Sequence, residues 1–165
     1  SSRIDGEQVH AWVAPVMIGR DHVLYSVSDV FNGVMVKGNM VGTTMFYGSG
    51  AGKLPTASAV VADIIAAVRH KNMNIAIGWS EERQTIAPMD TSSYRYFVRV
   101  DGNCEENRSR VEAVFGKAEL TVLDEFAFVT EKMTEAAFKE KAVEFDSACQ
   151  AFGKKGILQM IRAEL

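Results

Sequence analysis

Apolar positions along this chain switch between a period of two and helical spacing, and each switch marks an element. From Glu7 to Ile18, Val9, Ala11 and Val13 fall on one face and His10, Trp12 and Ala14 on the other until Pro15 interrupts, which predicts a strand. Asp21 to Asp29 is polar and turn-rich, a loop or short helix. Phe31 to Val36 and Val41 to Tyr47 are apolar runs joined by Lys37-Gly38-Asn39-Met40. Gly-Asn tolerates positive φ, so the pair reads as an antiparallel hairpin. Ala57, Val60, Val61, Ile64, Ile65 and Val68 recur at helical spacing and predict a helix with one stripe turned to a core. Pro55 suits its first turn, where a missing N–H is harmless. Asn72 to Trp79 allows one further short strand.

Ser80 to Ser93 sustains no period and holds several turn residues, so the expected division is residues 1–79, a linker at 80–93, and a second domain at 94–165. In that domain Tyr94 to Val100 alternates as a strand, and Glu105 to Phe115 reads as a helix closed by Gly116. Ala118 to Leu123 and Phe126 to Glu131 make a hairpin around Asp124-Glu125. Thr134 is placed to N-cap a helix with Phe138, Ala142, Phe145, Cys149 and Phe152 on one face, ended by Gly153, and Ile157 to Ala163 supplies the last strand. The order is βαββαβ, the split βαβ or ferredoxin-like arrangement. The expected fold class is α+β: an antiparallel sheet with covering helices, then a ferredoxin-like domain.

Charge and cysteine usage narrow the partners. The net charge of −3 is spread evenly, with no basic stripe to neutralise phosphates, which argues against nucleic acid. Cys104 and Cys149 stand far apart without CxxC or Cys/His clustering, so packing cysteines in a reduced, cytoplasmic compartment fit best. No apolar run is long enough for a membrane helix. His10, His22 and His70 lack partners at metal-ligand spacing and read as surface or interface residues, and no metal site is expected.

The candidate chemistry lies where the second apolar run meets the helix, at Gly48-Ser49-Gly50-Ala51-Gly52-Lys53. Glycines there permit angles closed to other residues and let a ligand approach the amides, and the helix N-terminus behind them favours negative charge. A P-loop would need glycine where Tyr47 stands and Ser or Thr where Leu54 stands; the dinucleotide fingerprint would need glycine at Lys53. Neither motif is present. A tight strand-to-helix connection, glycine-rich for packing alone, stays open beside the ligand reading.

The string Phe46-Tyr47-Gly48 through Pro55-Thr56-Ala57-Ser58-Ala59-Val60-Val61 to Asp63 resembles the late segment of homoserine dehydrogenases. Val13-Ala14-Pro15, Asp21-His22-Val23-Leu24, Val27 to Val34 and Gly38-Asn39-Met40-Val41-Gly42 resemble the same family in the same order, covering about residues 3 to 70. The resemblance implies an NADP- or NAD-dependent oxidoreductase that interconverts L-homoserine and L-aspartate 4-semialdehyde in threonine, methionine and isoleucine biosynthesis. The family's catalytic lysine and first nucleotide loop match nothing here, and Ser1-Ser2-Arg3 opens the chain without Met. The expectation is a C-terminal fragment, inactive alone, with no catalytic residue of its own. The resemblance carries cofactor contact to Gly52, and less strongly to Gly50 and Ala51, and implies a homodimer or higher homo-oligomer formed through the sheet. Residues 94–165 are similar in position and pattern to an ACT-type regulatory domain. Its effector turn would be Asp101, Gly102 and Asn103, with threonine as the implied effector; the family's Pro-Gly pair is absent there, so a structural or dimerising module stays open. The alternative for the whole chain is a stand-alone amino-acid-sensing ACT-type module.

Overall fold

The computed structural model describes residues 2–6, 8–73, 78–122 and 126–164. In chain order the elements are β1 (Ser2–Asp5), β2 (Gln8–Ala11), β3 (Val16–Ile18), β4 (Phe31–Gly38), β5 (Gly42–Ser49), α1 (Lys53–Arg69), a 3-10 turn at Met89–Thr91, β6 (Ser93–Val100), α2 (Cys104–Phe115), β7 (Ala118–Val122), β8 (Phe126–Thr130), β9 (Met133–Thr134), α3 (Glu135–Gln150) and β10 (Ile157–Glu164). They form two units, one of Ser1–Gly19 with Arg83–Leu165 and one of Arg20–Glu82. The fold is a mixed α+β one.

In the first unit the strand order is β3-β10-β6-β8-β7, with the short β9 beside the start of β6. All neighbours are antiparallel except β3, which runs parallel to β10. The alternation read in Tyr94 to Val100 sets the layers: Tyr96, Val98 and Val100 are buried in the core, and Arg95, Phe97 and Arg99 point to the other face. Val111 and Phe115 of α2, Phe138 and Phe145 of α3, and Phe126 and Phe128 of β8 complete that core. Its rings pack closely, Tyr96 stacked on Phe138 at 4.1 Å and Phe115 meeting Phe128 at 5.0 Å between centroids.

Caps fix where the helices start. Thr134 Oγ1 accepts from the Ala137 amide at 3.2 Å, as the sequence predicts, and Asn103 Oδ1 accepts from the Glu106 amide at 3.0 Å. α3 stops at Gln150, so Phe152 does not continue the buried face assigned to it. It is exposed, and the Arg110 guanidinium lies over its ring at 4.3 Å.

The N-terminal segment departs most from expectation. The single strand expected from Glu7 to Ile18 is broken: β2 pairs with β1, and β3 joins a different sheet. Pro15, which cannot donate to a ladder, sits in the gap. The Ala87 amide donates to the Val9 carbonyl at 2.8 Å, tying β2 to the stretch expected to be a linker. Residues 2–19 therefore group with the C-terminal residues, and the division differs from 1–79, 80–93 and 94–165. His10, expected at a surface or interface, is buried, and its Nδ1 shares a hydrogen bond with Ser92 Oγ at 3.2 Å.

In the second unit the predicted hairpin is present, paired from Phe31↔Ser49 to Gly38↔Gly42 around the turn at 39–41. A Cβ on Gly33 would lie 2.8 Å from Leu24 Cδ2 and 3.0 Å from Val27 Cγ2, so the preceding loop rests on that face of the hairpin. The helix over 53–69 also forms. Its apolar stripe, assigned by spacing to a core, is instead exposed at Val60, Val61, Ile64, Ile65 and Val68. Residues 74–77 of the possible strand at 72–79 and the turn at Asp124-Glu125 lie outside the described residues.

Candidate functional site

The predicted cofactor-side residues are contiguous, linking the end of β5 to the start of α1. Gly52 is the N-cap, with φ 112° and ψ 159°, a conformation L side chains rarely adopt. Its carbonyl accepts from the Thr56 amide at 3.2 Å and from Thr56 Oγ1 at 2.9 Å. No side chain caps the helix, and its first turn holds no acidic residue. The amides at the start of this 17-residue helix thus face outward with the positive end of the dipole, which suits an anion or an amide carbonyl. Gly50 is glycine for a different reason, since a Cβ there would lie 2.1 Å from Asn32 Nδ2. The Ala51 amide donates to the Val30 carbonyl at 3.4 Å. Gly50 and Ala51 hold the turn to the hairpin, and Gly52 turns the chain into the helix.

Asp101, Gly102 and Asn103 also lie together, between β6 and α2, and several polar atoms of Asp101 and Asn103 are engaged within the chain. Asp101 Oδ2 accepts from the Lys155 amide at 3.0 Å, and the Asp101 amide donates to the Gly156 carbonyl at 2.9 Å. Buried Asn107 donates through Nδ2 to the carbonyls of Asp101 at 2.9 Å and Asn103 at 3.0 Å. Gly102 has φ 99°, and a Cβ there would meet Glu106 Oε2 at 2.9 Å. The turn is fastened to the entry of β10 as well as capping α2.

A third place lies outside every motif in the sequence. A cavity of about 340 Å³ opens in the first unit where β1, β2 and β3 meet the start of β6 and the end of β10. Trp12 and Tyr94 wall it, edge to face at 5.3 Å, with buried His10 and Ser92 also lining it. Behind the rings, Arg162 lies 5.8 Å from the Trp12 centroid and 5.6 Å from that of Tyr94, and pairs with Glu135 Oε2. Burial alone would push the Glu135 carboxyl up, but hydrogen bonds from Arg162 and Lys139 more than offset it and hold the group below its ordinary value. Burial, aided by Glu135, pushes the Tyr96 phenol up to about 12. Cys149 is buried, and burial raises its thiol away from reactivity. Alternation around His10 and Trp12 was the available sequence signal; the pairing of β3 with β10 that closes the cavity left none.

Comparison with known proteins bears on the glycine turn directly. Residues 2–65, which include it, match the family model for homoserine dehydrogenase. The matched segment, well under half of the chain, is similar to that family. The homoserine dehydrogenase of Neisseria gonorrhoeae is 40% identical over 112 residues, covering 63% of this chain and 26% of that protein. That of Pseudomonas aeruginosa is 51% identical over 57 residues, 34% of this chain and 13% of that protein. The chain thus spans about a quarter or less of the length of these relatives. A crystal structure of a homoserine dehydrogenase from Thiobacillus denitrificans superposes over 99% of this chain and 41% of its own, with TM-score 0.72 and 21% identity, a likeness of fold. The Staphylococcus aureus homoserine dehydrogenase at pH 6.5 superposes over 99% of this chain and 39% of its own, with TM-score 0.61 and 25% identity.

Proposed function

We propose that this chain is the C-terminal part of a homoserine dehydrogenase, an NAD- or NADP-dependent oxidoreductase interconverting L-homoserine and L-aspartate 4-semialdehyde in the cytoplasm. The carrying observation is the strand–glycine turn–helix at 42–69, whose sequence lies largely within the family match and whose helix N-terminus carries no side-chain cap. The fit to a nicotinamide cofactor rests on Gly52: its positive φ and the bare amides behind it leave room for backbone contact with a polar, negatively charged ligand. When bound, the cofactor supplies the hydride-exchanging ring. Gly52 contributes close approach, and Gly50 and Ala51 contribute the fixed position of the turn. The catalytic residues belong to the part of the parent enzyme outside this chain, and the fragment alone is inactive.

The same reading assigns residues 94–165 to an ACT-type, ferredoxin-like regulatory domain for threonine, with Asp101, Gly102 and Asn103 at the effector turn. The strand order β10-β6-β8-β7, with α2 and α3 as the crossings, supports the βαββαβ part of it. Internal bonding of the Asp101 carboxylate and the Asn103 side chain favours a structural role for those two groups. The family matches do not favour a stand-alone amino-acid-sensing module. The test is Gly52→Val in the full-length enzyme: a bulky side chain at φ 112° should raise the cofactor KM strongly with the fold intact. Unchanged kinetics would remove the turn from the cofactor site.

A further inference from the structure

Charge decides what the 340 Å³ cavity suits. Arg3 from β1, Arg95 from β6 and Lys132 from the turn before β9 all line it, and among the described lining residues Glu164 at the end of β10 is the one carboxylate, with Glu119 paired to Arg95 from outside the lining. Arg95 is held in place: its Nε donates to the Thr130 carbonyl at 3.2 Å and its Nη2 pairs with Glu119 at 2.7 Å. Lys132 has no ion-pair partner among the described residues. The faces of Trp12 and Tyr94, the Ser93 hydroxyl, the bonded pair His10–Ser92 and the apolar Val16 and Ala163 supply the rest of the described wall. Converging cations suit a small anion, the aromatic wall suits a compact apolar group beside it, and one carboxylate among the cations suits a single hydrogen-bond donor.

We propose that this cavity binds a small organic carboxylate bearing a hydrogen-bond donor next to its acid group, a 2-amino or 2-hydroxy acid. The carboxylate lies toward Lys132 and Arg95, the donor toward Glu164, and the short apolar part against Trp12 and Tyr94. Inorganic phosphate is a poorer fit, since it has no apolar part to set against the rings and its second negative charge meets Glu164. The site is at the start of β6, whereas Asp101–Asn103 is at its far end, so the two are separable by mutation.

Trp12 provides the readout. With Trp79 changed to Phe, the indole left in the chain is a wall of the cavity, and its fluorescence is titrated with L-valine, L-threonine, their 2-hydroxy analogues and inorganic phosphate. The expected result is a saturable change with at least one carboxylate, absent with phosphate and weakened about tenfold by Lys132→Ala, the loss of one charge-assisted contact. Lys132 is exposed, so the variant should keep the parent's melting temperature, and Asn103→Ser should leave binding unchanged. A response to the amino acids alone assigns the donor to an ammonium group; a response to both series assigns it to either group. Absence of saturable binding by every carboxylate, equal binding of phosphate, or affinity indifferent to Lys132→Ala would overturn the proposal.

Discussion

Breaking the Glu135–Arg162 pair tests how the first unit is held together. Both side chains are almost wholly buried, 9% and 11% exposed, and the guanidinium also lies over Trp12 and Tyr94, so one residue of β10 ties α3 to the N-terminal segment. Arg162→Met leaves a buried carboxylate. Losing one partner of such a pair costs roughly 3–5 kcal/mol, and because Lys139 still reaches Glu135 at 3.2 Å the expected cost is about 3 kcal/mol. Glu135→Gln leaves Arg162 without its counter-charge and should cost at least as much. Replacing both, Glu135→Leu with Arg162→Met, exchanges two desolvated charges for apolar volume and should fall within about 1 kcal/mol of the parent. Urea unfolding followed by Trp12 fluorescence in a Trp79→Phe background measures all three. The pH dependence has a definite sign: Glu135's carboxyl is depressed in the folded state, so its contribution is present above the ordinary carboxyl value and is lost as pH falls through the folded one. Single variants costing under about 1 kcal/mol, or a double variant costing the sum of the two, would refute the reasoning.

Three other perturbations address separate links. Tyr96→Phe keeps the ring stacked on Phe138 and removes a buried hydroxyl with no hydrogen-bond partner among the described residues, so stability near neutral pH should be unchanged or raised by up to about 1 kcal/mol. The phenol's folded value of about 12 lies above its ordinary 10, so the parent should lose stability between those pH values as the unfolded chain ionises first, and the variant should lose less; equal alkaline loss would count against it. Thr134→Ala should cost about 1 kcal/mol by chemical denaturation and Thr134→Asn far less; equal losses would deny the cap. Phe145→Ala, at the centre of the aromatic core, should cost roughly 3–5 kcal/mol, and a loss under about 1 kcal/mol would mean the core collapses around the gap.

Local periodicity made much of the fold legible. The hairpin at 31–49, the helix after the glycines, the cap at Thr134 and the alternation in β6 each depend on neighbours within a turn or a strand, and each formed where its residues indicate. What sequence could not show was long-range pairing. The alternation of Glu7 to Ile18 has the same appearance whether β3 continues β2 or crosses to β10, and only the partner strand decides. His10 reads as a surface residue until folding brings Ser92, 82 positions along the chain, to its ring. The glycine turn was found because glycine needs are local, yet two different needs lie behind it: Gly52 answers to its own φ, Gly50 to Asn32. The cavity is not legible in the sequence, because its cations come from separated segments and none belongs to a motif.

The second unit sets a problem that its own residues do not solve. The register pairs Val34 with Phe46 and Val36 with Thr44, so these four share a face, while Gly33, Met35 and Met45 share the face over which Leu24 and Val27 fold. One side of the hairpin is thus lined and the other leaves Val34 59%, Val36 45% and Phe46 68% exposed. A two-stranded sheet with a bare apolar face is marginal by itself. If a second copy covers that face about a two-fold axis, each copy's Phe46 is buried once, and at roughly 1.5–3 kcal/mol per large side chain the pair contributes about 3–6 kcal/mol to association. Phe46→Glu then forfeits that and places two carboxylates at the contact, weakening dimerisation at least a hundredfold. Light scattering on a dilution series is the measurement: the parent should have twice the chain mass where the variant has one. A parent that stays monomeric at the highest concentration, or a variant that dimerises as well as the parent, would refute a two-fold contact through this face.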